Sequence, residues 1–271
     1  CKGCAFNTVK HVLYTTLKNQ KMRKILGSVA IALLFVSCGQ LMTESQAILK
    51  NQEGLEYLDQ AKYELAINSF KEGIASPNLS KEIRALIYRN IAQTYYEMME
   101  IDSSLAYSQL AADCYPKDSY EYLTNISDIK ISTGETAEAE KLLLKAVKMK
   151  PNELAANNTL GAIYLGEFGA EFFDPEKALP YNIKAFEINN DRITEDVLGR
   201  NYIELGNYKK ARTHYSKLHK EYPDIEVLAY QLGVVEYLDG NKEKAEIYFN
   251  KVIAKNPEHQ WAINSFKENN E

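Results

Sequence analysis

The chain is short of the residues on which most site chemistry is built. Four histidines, four cysteines and one tryptophan are spread over 271 residues. His214 and His219 lie five apart, so they do not share a helix face as a metal pair four apart would, and both are expected at solvated helix positions. Cys1-Lys2-Gly3-Cys4 has the spacing of a redox pair or half a zinc site. A zinc site needs a second ligand pair, and only His11 is near; a redox motif needs a strand ahead of it. Neither chemistry is expected. Cys114 stands alone in a helical context and reads as a buried or inert thiol. No GxSxG, HExxH, GxxxxGK[ST] or GxGxxG occurs. That removes the nucleophile elbow, the zinc-protease helix and both phosphate-cradling loops. Acidic pairs such as Asp128 with Glu135, or Glu138 with Glu140, read as charged helix surface. The chain is expected to be non-catalytic, with no cofactor and no metal.

Positive charge is scarce as well. Residues 1–37 hold six Lys/Arg and no Asp/Glu, so removing them from the 32 basic and 37 acidic residues leaves 26 against 37, or −11. Phosphate binding relies on clustered Lys and Arg, and a body this acidic excludes nucleic acid as a partner class. Long apolar runs are limited to one. Twelve residues from Ile25 to Val36 carry no charge, follow Lys21, Arg23 and Lys24, and end at Ser37-Cys38. Twelve helical residues span about 18 Å, against an apolar bilayer core of about 30 Å. A basic segment followed by a short apolar core is instead the pattern of a secretory signal peptide.

The residues Leu34-Phe35-Val36-Ser37-Cys38 resemble the lipobox of bacterial lipoproteins. The small Ser37 fits the position before the cysteine, while Phe35 stands where leucine is usual. The resemblance implies diacylglycerol on the Cys38 thiol, cleavage just before it, and acylation of the new N-terminus. Several acyl chains at about 0.8 kcal/mol per buried CH₂ hold a protein on a membrane, where a single chain is marginal. Met22 is the natural start for such a signal. The expected organisation is a non-native upstream extension over 1–21, a signal peptide over 22–37, and a tether over 38–46.

From residue 47 the chain repeats itself. Leu198 to Pro223 and Leu232 to Pro257 both open Leu-Gly. They share Gly206 and Gly240, Ala211 and Ala245, the aromatics Tyr215 and Phe249, and a closing proline, at an offset of 34 residues. Each repeat carries two runs of helical period joined by a turn. Small residues let the two helices approach closely, aromatics such as Tyr57, Tyr95, Tyr164, Tyr202 and Tyr208 fill the space beside them, and proline ends the second helix. The pattern traces through 47–80, 85–118, 120–153, 154–191, 192–225 and 226–259. In the second repeat Ala92 and Ser104 replace Gly and Ala; in the third, Ser127 and Lys130 break the first helix. Residues 260–271, with Trp261, Ile263 and Phe266, read as a further helix covering the last repeat.

This pattern resembles the tetratricopeptide repeat (TPR) family. The resemblance implies an all-α, right-handed superhelical solenoid of about six TPR repeats over 47–259 plus a C-terminal capping helix over 260–271. It also implies a ligand groove on the concave face lined by the first helix of each repeat. Carried over by register, the groove residues are Asn51, Leu55, Arg89, Gln93, Tyr96, Glu121, Thr124, Asp128, Asn158, Leu165, Asp196, Arg200, Ile203, Val227, Tyr230, Val234 and Tyr237. The sixth-repeat set is apolar and aromatic. It suits an amphipathic or extended peptide, or else lies under the final helix. A second candidate contact is the insertion Gly166 to Glu176, which holds Phe168, Phe172 and Phe173. Asp174-Pro175 is a helix start, and Pro180 is expected to kink the helix that follows.

The expected function is a lipid-anchored scaffold of the bacterial cell envelope, at the outer membrane facing the periplasm, which binds a protein or peptide in its groove. Its rivals are an assembly lipoprotein of the type IV pilus or outer-membrane barrel kind, a glycan-binding envelope lipoprotein, and self-association through an uncovered solenoid end.

Overall fold

The structure is a computed structural model that describes residues 42–270. Cys1, Cys4, the apolar run and Cys38 lie outside the described residues, as do the expected upstream extension over 1–21 and signal peptide over 22–37. The described residues form helices and turns with no strand. They fall into two compact units that meet between Thr133 and Gly134. The N-terminal unit holds α1 (Glu44–Asp59), α2 (Tyr63–Ile74), α3 (Lys81–Glu97), α4 (Ile101–Ala112) and α5 (Tyr120–Ser132). The second holds α6 (Thr136–Met149), α7 (Leu154–Tyr164), a 3-10 turn (Ala170–Phe172) and α8 (Pro175–Ile188). It continues with α9 (Arg192–Glu204), α10 (Tyr208–Glu221), α11 (Glu226–Leu238), α12 (Lys242–Lys255) and α13 (His259–Glu268). Each helix packs on the next within its unit, so the chain builds up hairpin by hairpin. No described helix is long and apolar enough to cross a membrane.

Close approach within a hairpin needs a missing side chain on its first helix. A Cβ at Gly54 would lie 2.4 Å from the Phe70 ring, and one at Gly233 would lie 2.5 Å from Phe249. Both rings are fully buried, so they have nowhere to go. The N-terminal core gathers Phe70, Ile87, Ile91 and Tyr107, with Tyr95 stacked on Tyr107 at 5.5 Å. The second unit repeats the arrangement with Leu198, Tyr202, Tyr215, Leu228 and Leu232. The turn inside a hairpin places one residue in the left-handed region. Glycine fills it at Gly206 (φ 66°) and Gly240 (φ 83°), but Ala61 (φ 54°) and Met99 (φ 60°) occupy it in the first two hairpins.

Several sequence expectations are corrected. The first helix begins at Glu44, inside the stretch read as tether, because Thr43 and Gln46 form a capping box that satisfies the free N–H groups there. The third repeat's first helix, α5, runs unbroken: Ser127 is buried and its hydroxyl donates to the Leu123 carbonyl at 2.7 Å, so a polar residue sits in the core without an orphaned group. Pro180 does lie inside α8, at an exposed position, and the helix continues through it, which is compatible with the expected kink. His214 and His219 are half-buried rather than solvated. His214 stacks on Tyr202 at 5.7 Å, and His219 meets the Tyr248 ring edge-on at 6.2 Å. Burial and then Lys251 and Lys255 lower the His219 pKa. Glu140 is not free surface either: it accepts from the Tyr164 hydroxyl at 2.6 Å and from Lys177 at 2.9 Å. Cys114 is a free, half-buried thiol. Its Sγ donates to the Leu110 carbonyl at 3.4 Å, and burial pushes the thiol pKa up.

Candidate functional site

The first helices of the hairpins carry the residues assigned to the groove, and the two units treat them differently. In the N-terminal unit these helices are α1, α3 and α5. Asn51 is buried and accepts a 2.7 Å hydrogen bond from the Asn90 side chain, so it fastens α1 to α3 and presents nothing to a ligand. Thr124 is buried too and turns its hydroxyl back onto the Tyr120 and Glu121 carbonyls at 3.1 Å. Around them the surface is open and mixed. Leu55 is 38% exposed, Tyr96 54% and Ile48 42%, although burying such side chains is worth roughly 1.5–3 kcal/mol each. Gln93 is exposed and donates to Glu97 at 2.6 Å.

Arg89 and Asp128 complete this face. Both side chains are exposed, and neither makes an ion pair or a side-chain hydrogen bond among the described residues. Asp128 is accessible and at the same time walled in. Surrounding protein withdraws the water that would solvate its charge, and this pushes the carboxyl up to about 6, against the opposing pull of Arg89.

In the second unit most of the corresponding positions are already occupied from within. Arg200 pairs with Glu167 at 2.9 Å and with Asp196 at 3.5 Å. Ile203 packs against two apolar clusters. Asn158 is half-buried on α7. The apolar sixth-repeat surface is not an open groove. Val234 and Tyr237 are buried, and Phe266 of α13 meets Tyr237 at 5.4 Å, Phe249 at 6.1 Å and Tyr230 at 6.5 Å. The cause is the amphipathic tail: Ile263, fully buried, and Phe266 dock on α11 and α12, while Trp261 turns to solvent at 79% exposure.

The insertion is tied down rather than loose. The Asp174 N–H donates to the Tyr164 carbonyl at 2.8 Å, and the Asp174 carboxylate caps α8 at the Lys177 N–H, 2.9 Å away. Thr136 donates to the Phe168 carbonyl at 3.1 Å. Phe168 and Phe173 remain exposed and Phe172 is half-buried.

Sequence reasoning missed two buried carboxylates. Glu195 contacts His214 Nδ1 at 3.1 Å and Lys217 at 2.6 Å. Glu236 takes Arg212 at 2.9 Å and Asn241 at 2.9 Å. Each joins the first helix of a repeat to a neighbouring second helix. Their partners lie 19 to 24 residues away, or at a turn, in positions that read as ordinary surface charge.

The geometry defines a class: an all-helical repeat scaffold whose first-helix residues are open in the N-terminal unit at Leu55 and Tyr96 and mostly engaged in the second, where Val227 stays exposed. Comparison with known proteins agrees. Tetratricopeptide-repeat family models match residues 120–153, 198–224 and 226–259. A TPR repeat-containing protein of Methanocaldococcus jannaschii is 25% identical over 173 residues, which is 63% of this chain but 28% of that protein's length. Among solved structures, the APC/C hetero-tetramer Cut9-Hcn1 aligns with a TM-score of 0.64 at 15% identity, over 82% of this chain and 42% of that one. A tetratricopeptide repeat protein from Parabacteroides merdae aligns at 0.53 and 15% identity, over 77% and 79%. YrrB, described as a TPR protein with an unusual peptide-binding site, aligns at 0.53 and 22% identity, over 73% and 97%. The chain carries tetratricopeptide repeats over those three stretches.

Proposed function

We propose that the chain is a non-catalytic scaffold that binds a protein or peptide partner, tethered by lipid at Cys38 in a bacterial cell envelope. The observation that carries the binding role is the first-helix face of the N-terminal unit. Ile48, Leu55 and Tyr96 stay open there, on the same set of first helices as the exposed Arg89 and Asp128, while most of the matching residues of the second unit are satisfied internally. The peptide-binding site of the related YrrB supports the same reading by analogy of fold. A photo-crosslinking amino acid at position 96 in intact cells is expected to capture one dominant polypeptide. The same probe at position 247, exposed on α12, is the control. Equal, diffuse labelling at both positions would count against the scaffold.

The anchor rests on the basic segment, the twelve-residue apolar run and the lipobox-like Leu34 to Cys38. With that anchor the protein is read as an envelope protein, at the outer membrane facing the periplasm. Replacing Cys38 with Ser is expected to abolish fatty-acid labelling and release the chain from membranes. Label that persists in that variant would overturn the anchor.

A further inference from the structure

We propose that the first-helix face of the N-terminal unit selects a polypeptide segment carrying a lysine or arginine, with Asp128 as its charge partner and the exposed Leu55 and Tyr96 as apolar contacts further along the same face. This inference rests on the scaffold reading and narrows it to one ligand chemistry.

The argument starts from charge. By helical register the face carries Asp59, Glu97, Glu121 and Asp128 against the single cation Arg89. Glu97 is engaged by Gln93. Asp128 is different, because its carboxylate has no partner among the described residues although it already stands in a partly desolvated place. Such a group gains more from an incoming cation than a fully hydrated one does, because most of its own desolvation is complete before the ligand arrives. An anionic ligand would gain Arg89 but would meet the excess of carboxylates, and like-charge juxtaposition is costly. Charge complementarity therefore points to a cationic ligand.

The apolar side chains decide between a free cation and a polypeptide. A metal ion or a polyamine would use the carboxylate and leave Leu55, Tyr96 and Ile48 in water. Among the described residues, moreover, no group of three or more His, Cys, Asp or Glu stands close enough to hold a metal. A peptide offers a Lys or Arg head for Asp128 together with apolar side chains, spaced along an extended segment, for Leu55 and Tyr96. The second unit cannot supply the same site. Its counterpart polar residues, Asp196 and Arg200, already pair with each other, and Arg200 also holds Glu167.

The test is selection of a phage-displayed library of random twelve-residue peptides on the full chain, on Asp128→Asn, and on Asp224→Asn as a control at a fully exposed site. The full chain and the control are expected to enrich sequences with Lys or Arg flanked by apolar residues. Asp128→Asn is expected to lose that enrichment by about tenfold or more. The variant removes a poorly solvated charge, so its fold is expected to survive, and a circular dichroism spectrum checks this. Enriched peptides that are acidic or purely apolar, or enrichment indifferent to Asp128→Asn, would overturn the inference and leave the scaffold reading standing. No enrichment over bare resin would overturn both.

Discussion

Replacing Phe266 with Ala tests how the C-terminal end of the repeat array is closed. The Phe266 ring lies 5.4–6.5 Å from the centroids of Tyr237, Phe249 and Tyr230, and it shares α13 with Trp261, which is 79% exposed. An aromatic side chain buries about 150 Å² or more. At about 25 cal/mol per Å² the loss is about 4 kcal/mol for complete burial. Phe266 is only partly buried, so about 2–3 kcal/mol is expected, or a fall in Tm of roughly 5–10 °C for a chain of this size. Trp261→Ala, which removes a larger side chain from solvent, is expected to cost no more than about 0.5 kcal/mol. The assay is thermal unfolding followed by circular dichroism at 222 nm. Binding of a hydrophobic dye adds a second readout, because the first variant uncovers Tyr237 and Phe249 while the second uncovers nothing. Solenoids lose their ends first, so hydrogen exchange in Phe266→Ala is expected to accelerate in α12 and α13 ahead of α9. Equal destabilisation by the two variants would refute the packing argument, as would Phe266→Ala unfolding at the temperature of the parent.

Three further outcomes follow from the geometry. Met99→Gly is expected to stabilise by about 0.5–1 kcal/mol by urea unfolding, because Met99 is 76% exposed and holds φ 60°, where a side chain is strained. Gly233→Ala is expected to cost about 1–3 kcal/mol, since its Cβ would lie 2.5 Å from the buried Phe249 ring. Asp128→Asn is expected to raise the thermal stability at pH 7.5 and to leave it unchanged near pH 4. The folded carboxyl titrates at about 6, above its ordinary 3.8, so the native state holds the proton more tightly than the unfolded chain. The parent therefore loses stability from this group as pH rises from about 4 to 6, and the variant does not. Melting temperatures of both proteins across that range check the sign; a gap that widens toward acid would contradict it.

The repeats were legible because each hairpin states its packing twice, once as a small residue on the first helix and once as the ring that fills the gap. Gly233 with Phe249 and Gly54 with Phe70 read the same way in sequence and in structure. The start of α1 was not, because a capping box at Thr43 and Gln46 depends on local side-chain geometry and leaves no periodic trace. The unbroken α5 was misread for a similar reason. Ser127 looks like an interruption until its hydroxyl is seen bonded to the Leu123 carbonyl. The groove positions were placed on the correct helices, yet their register carries no information about what else lies over them. Arg200 is held by Glu167 from the insertion, and Tyr237 is covered by Phe266 from the tail.

That difference between register and accessibility bears on function. Asp128 and Arg200 both occupy first-helix groove positions, and both are charged. One is partly desolvated without gaining a partner, which costs stability; the other is held by two carboxylates. A purely structural role for the N-terminal face would gain from replacing Asp128 by a neutral residue and from covering Tyr96. An open, unpaired and partly desolvated carboxylate on the same face as an exposed ring is instead an arrangement that a ligand completes. The opposing signs expected for Asp128→Asn, higher stability and weaker peptide capture, separate the two accounts: a variant that gains stability with capture intact would make the open face incidental.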